Sequence, residues 1–140
     1  MKDTTSLELF LTLTSATNSI SKNLDRYLGA LHGLGVSEFR VLHQLDTAPG
    51  NSLSRVSLAE LVGLTASGIT RLLNPMEKIG LVEKQANQRD ARISLVKLSA
   101  SGKQLYNYAL IGFDQVADKS LTQLSTRERT SLLTLVRKVS

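Results

Sequence analysis

Apolar residues recur at spacings of three and four along the first part of the chain. Leu13, Ala16, Ile20, Leu24, Tyr27 and Leu31 form one stripe, which predicts a long amphipathic helix. Thr5 and Glu8 have capping-box spacing and mark its start, and Gly29, Gly33 and Gly35 are expected to end it. Ser37 is the expected N-cap of a second helix that turns Phe39, Leu42 and Leu45 inward. Ala48-Pro49-Gly50-Asn51 is turn chemistry, and a β-capable piece, Ser54-Arg55-Val56, follows. Ser57 with Glu60 predicts a capping box that opens a short helix over Leu58 to Val62, closed by Gly63.

The next helix, capped by Thr65, carries the sharpest pattern. Ile69, Leu72, Leu73, Met76 and Ile79 form an apolar stripe, and Ser67, Thr70, Arg71 and Asn74 form the opposite polar one. Gly80 stands where a glycine after a helix end belongs. Pro75 falls inside this helix and is expected to kink it or to end its first half near Asn74. Leu81–Ala86 and Ile93–Leu98 predict a two-stranded hairpin whose tip, Asn87 to Arg92, is polar and charged. From Ser99 the chain reads as helical again, with Leu105, Ala109, Gly112, Val116 and Ser120 on one face. Ser125 with Glu128 opens a last helix through Leu132, Leu133, Val136 and Val139.

This order predicts a single domain over residues 1–140, mainly α with a small β-hairpin wing. A winged helix-turn-helix lobe over about residues 36–98 is flanked by helical segments at 1–35 and 99–140. A short helix, a tight turn and a helix with one polar face form the plan that places the second helix in the DNA major groove. The side chains facing DNA would be Thr65, Ser67, Gly68, Thr70, Arg71 and Asn74. Arg71 has the fork that pairs with guanine or grips a phosphate. At the hairpin tip, Arg89 and Arg92 suit the narrow minor groove, with Asp90 between them to orient an arginine. Lys84 and Lys97 on the strands are candidate phosphate contacts.

Charge changes the picture by its placement. The net charge is +5, and residues 53–103 carry 8 basic against 4 acidic side chains, whereas residues 1–52 carry 4 against 5. The excess lies on the helix-turn-helix and wing, which favours a polyanionic partner. The chain has no cysteine, so it has no disulfide, thiolate metal site or thiol redox switch. No segment has the ~20 apolar residues of a membrane span or the pattern of a signal peptide, so a cytoplasmic location without membrane contact is expected. His32 and His43, eleven positions apart without a cysteine partner, are a poor metal site. No nucleophile elbow or phosphate-cradling glycine loop occurs, so neither an enzyme nor a cofactor is expected.

The runs Val56-Ser57-Leu58-Ala59-Glu60-Leu61, Ser67-Gly68-Ile69-Thr70-Arg71-Leu72-Leu73 and Met76-Glu77-Lys78-Ile79-Gly80-Leu81-Val82 resemble the MarR (multiple antibiotic resistance regulator) family. So does the wing, Arg89-Asp90-Ala91-Arg92, with Leu98-Ser99-Ala100-Ser101-Gly102 after it. The resemblance implies a homodimer held by the terminal helices, which binds palindromic promoter DNA as a repressor. It also implies a small aromatic or phenolic effector between the lobes, and Tyr27, His32, Phe39 and His43 are the candidate pocket residues. Many relatives carry Asp where this chain has Asn87, so the wing arginine is expected to be held less firmly. A winged-helix regulator without an effector and a protein–protein adaptor are the alternatives.

Overall fold

The computed structural model describes residues 5–140. Helix α1 (Thr5–His32) passes straight through Gly29 and ends at His32, with Gly33 at φ +66° taking the turn. Of the expected stripe only Leu24 is buried, with Ile20 and Tyr27 half-buried. Leu24 and, outside that stripe, Leu28 enter the core where α1 meets the later helix α5 (Ala100–Ser120), whereas Leu31 is 69% exposed and the helix up to Asn18 is exposed throughout. A helix face is buried only where another element lies against it.

Helix α2 (Val36–Thr47) begins earlier than Ser37 suggests, with Gly35 as its N-cap. Two carboxylates replace the expected serine cap. Asp25 of α1 accepts from the Val36 amide at 2.7 Å, and Glu38 accepts from the Gly35 amide at 3.3 Å. After one 3₁₀ turn (Pro49–Asn51) comes strand β1 (Ser52–Ser54), and Arg55 and Val56 already belong to helix α3 (Arg55–Val62). Helix α4 is Ala66–Lys78, strand β2 Val82–Ala86 and strand β3 Ser94–Leu98. The expected hairpin is therefore two strands of a three-stranded antiparallel sheet in the order β1-β3-β2, with Leu53 and Lys84 both opposite Val96.

The core lies where α2, α3 and α4 meet the sheet and α5 (Ala100–Ser120). Leu28, Val41, Leu42, Leu45, Leu58, Ile69, Leu73 and Met76 are almost wholly buried. Each such side chain contributes roughly 1.5–3 kcal/mol by leaving water. Ser99 ties the lobe to α5: its hydroxyl caps the Gly102 amide at 2.9 Å and faces the Gly80 and Leu81 carbonyls at 2.5 and 2.9 Å. Gly102 has to be glycine, since a Cβ there would overlap the Leu81 carbonyl. Helix α6 (Thr126–Arg137) opens on the expected Ser125–Glu128 capping box, which lowers the Glu128 carboxyl pKa through its hydrogen bonds with Ser125. Leu132, Leu133, Leu135 and Val136 on α6 stay exposed. Among the described residues no single helix is long and apolar enough to cross a membrane.

Candidate nucleic-acid interface

Local hydrogen bonds set the helix-turn-helix. Ser54, not Ser57, caps α3: its hydroxyl accepts from the Ser57 amide at 3.1 Å, so the helix starts three residues earlier than the Ser57–Glu60 spacing suggests. Gly63, at φ +71°, then reverses the chain in the left-handed region that glycine enters without strain. The Gly68 amide donates to Thr65 at 3.0 Å, and α4 leaves at 103° to α3, within the range of helix-turn-helix units.

On α4, Ile69, Leu73 and Met76 are buried and Leu72 is half-buried, which fixes the rotation of the helix. Ile79 departs from the expected stripe. It follows the last helical residue as the C-cap and is 68% exposed, because the chain turns away before Gly80. Pro75 neither ends nor divides the helix, which continues to Lys78; the ring removes only the amide that would have donated to the Arg71 carbonyl.

The polar face is sorted by what its atoms already do. Thr65 is engaged in its cap, and its hydroxyl lies 3.3 Å from that of Ser67. The Thr70 hydroxyl donates to the Ala66 carbonyl at 3.1 Å, leaving a methyl and acceptor lone pairs facing out. Gly68 is half-buried under Thr65; a Cβ would lie 3.1 Å from the Thr65 hydroxyl, so the absent side chain serves the cap. Arg71 and Asn74 are exposed, and their side chains have no hydrogen-bond partner among the described residues.

The wing is braced from within. Asn87 accepts from the amides of Arg89 and Asp90 at 2.8 and 3.2 Å, an Asx turn that an aspartate would make with the same oxygen. The turn orders the wing backbone at Arg89 and Asp90. Asp90 takes the Arg92 guanidinium in two bonds of 3.1 Å and also its amide at 3.0 Å. These bonds hold the Asp90 carboxyl below its ordinary range and raise Arg92 above its own, while Arg92 stays 90% exposed. The Arg89 side chain is exposed and unpaired among the described residues. Lys84 stands 3.9 Å from Glu77 of α4, and Lys97 is opposite Glu83 in the β2–β3 register without forming an ion pair among the described residues.

The four candidate pocket residues do not line one cavity. Phe39 and His43 border a hollow of about 270 Å³ between α2 and α5, together with Arg40, Gln44, Leu110, Phe113 and Asp114. Phe39 stacks on Phe113 at 4.2 Å, and His43 Nδ1 lies 2.7 Å from the Tyr106 hydroxyl. Burial, and secondarily the Asp46 charge, push that phenol above its ordinary range. Tyr27 and His32 pair with each other instead, at 3.2 Å, and Tyr27 also reaches the Ala109 carbonyl at 3.4 Å, its hydroxyl end filling the place a side chain at Gly112 would take. Sequence spacing does not single out Phe113 and Arg40 for the hollow; the stacked rings come from helices far apart in the chain.

The winged lobe also carries the likeness to known proteins. The family model described as MarR family matches residues 32–93. The transcriptional repressor YetL of Bacillus subtilis is 31% identical over 101 residues, which cover 72% of this chain and 60% of that protein. The chain spans about half to three fifths of the length of the first curated relatives it matches. Among solved structures, a cysteine-to-serine mutant of MarR from E. coli complexed with operator DNA is 25% identical with a TM-score of 0.83, over 99% of both chains. The regulator BldR from Sulfolobus solfataricus is 25% identical with a TM-score of 0.88, over 99% of this chain and 97% of its own.

Proposed function

On the match of its winged lobe to the MarR family model, we propose that the chain is a MarR-type transcriptional regulator that binds palindromic double-stranded DNA as a homodimer. The observation that carries this reading is the pairing of two free arginines on one module. Arg71 leaves the polar face of α4, whose other face is locked into the core, and Arg89 leaves a wing tip braced by Asn87 and Asp90. A rigid helix with an unengaged arginine suits base edges in the major groove. An arginine on a projecting tip suits the minor groove. Ser67, Thr70 and Asn74 would line the α4 contact, and Lys97, and Lys84 once drawn from Glu77, would reach phosphates.

The winged lobe over about residues 36–98 is the DNA-binding part, and residues 1–35 and 99–140 form the dimerisation region. The exposed apolar side chains of α1 (Leu7, Phe10, Leu11) and α6 (Leu132, Leu133, Val136) support this division, because apolar side chains left in water favour burial against a partner. Repression follows where the dimer covers a promoter. A small aromatic effector seated against Phe39 and Phe113 would release DNA only as far as it prefers a dimer with differently spaced helices. Selection from a randomised duplex pool tests the reading. It should recover an inverted repeat with half-sites about one helical turn apart; recovery of no enriched sequence would overturn it.

A further inference from the structure

Helix α3 ends on carbonyls that a side chain from another helix reaches. The last four carbonyls of a helix lack partners within it; in α3 they belong to Ala59, Glu60, Leu61 and Val62. The turn supplies two donors: the Leu64 amide reaches the Ala59 carbonyl at 2.9 Å and the Gly63 amide reaches that of Glu60 at 3.2 Å. The other two carbonyls are taken by one side chain from α2. Arg40 donates through Nη1 to Val62 at 3.0 Å and through Nη2 to Leu61 at 3.3 Å. No other hydrogen bond reaches either carbonyl among the described residues.

We propose that Arg40 is a positioning residue for DNA recognition: it fixes the turn from which α4 departs without itself touching DNA. The inference rests on the DNA-binding reading above. Its base is rigid, since Val41, Leu42 and Leu45 anchor α2 in the core. Its charge is placed at the negative end of the α3 dipole, where a cation is favoured. Its planar fork meets two successive carbonyls at once, which a single ammonium group matches less well. Val62 directly precedes Gly63, the residue that reverses the chain, so the guanidinium clamps α3 at the point where the direction of α4 is decided.

The test uses the full chain and the duplex that the wild-type protein selects from a random pool. Arg40→Met removes two charge-assisted bonds and should weaken binding about tenfold, and Arg40→Lys should recover part of that loss. The slope of log affinity against log salt should stay at its wild-type value in both variants, because no phosphate contact is removed. Hydrogen exchange, read without DNA, should quicken at the amides of Gly63 and Leu64 and stay unchanged in α5. Wild-type affinity in Arg40→Met overturns the proposal. So does a slope reduced by about one phosphate contact, which would put Arg40 on DNA, or an acceleration of exchange spread evenly over the chain. If the wild-type protein selects no duplex, the DNA-binding reading itself has failed, and the exchange arm still reports whether Arg40 holds the turn.

Discussion

Arg71, Arg89 and Arg92 are alike in sequence and different in position. Arg71 and Arg89 have no side-chain partner among the described residues, whereas Arg92 is held by Asp90 in two bonds. Arg71→Ala should cost about 1–3 kcal/mol on the preferred duplex and relax the base preference there. Arg89→Ala should weaken binding to every sequence by a similar factor; competition assays with single-base variants separate the two patterns. Asp90 makes a pH prediction with a fixed sign. The Arg92 guanidinium, and after it the Arg92 amide, lower its pKa in the folded wing. The bracing is therefore complete above the ordinary carboxylate range and is lost as pH falls through the lowered value. A carbon-detected NMR titration should place the Asp90 midpoint below that of aspartate in a free peptide, and a midpoint at or above it would contradict the bracing.

At the scale of elements, Pro75 gives the clearest test. It sits in an unbroken α4 and leaves the Arg71 carbonyl without its usual donor. Pro75→Ala should stabilise the fold by roughly 2 kcal/mol, since proline costs a helix interior about 3 kcal/mol and returns up to about 1 kcal/mol by restricting the unfolded chain. A denaturant midpoint that falls instead would show that the ring itself packs usefully. The same helix shows what sequence reveals. Ile69, Leu73 and Met76 are legible because a helix facing a core must repeat its apolar positions, and the core confirms that face. Ile79 continues the same spacing and is exposed, because spacing does not mark where the chain leaves the helix. The caps divide in the same way. Thr65 and Ser125 cap as their spacing suggests, whereas α2 is capped by Asp25, eleven residues before the amide it binds. The pairing of β1 as a third strand is not legible, since its partner, β3, lies beyond two helices in the chain. Of the site, the residue types are legible; the engagement of the Thr65 and Thr70 hydroxyls and the splitting of Tyr27 and His32 from Phe39 and His43 depend on rotamers and long-range packing.

The whole molecule combines an uneven charge with an unfinished surface. Its basic excess is concentrated on the lobe that carries α4 and the wing, and its exposed apolar side chains gather on α1 and α6. The proposed function joins the two features: the apolar surface would pair two copies, and pairing would set two basic lobes against one duplex. Leu132→Glu together with Leu133→Glu should therefore give a folded monomer by sedimentation, with far weaker binding to an inverted repeat. The central claim is that α4 and the wing bind DNA, and salt titration of the selected duplex tests it most directly. Affinity should fall linearly in log–log form with salt, about 0.9 in slope per phosphate neutralised, and Arg71→Ala and Arg89→Ala should both lie below the wild-type line. A wild-type affinity that ignores salt, or retained full affinity in both variants, would contradict it.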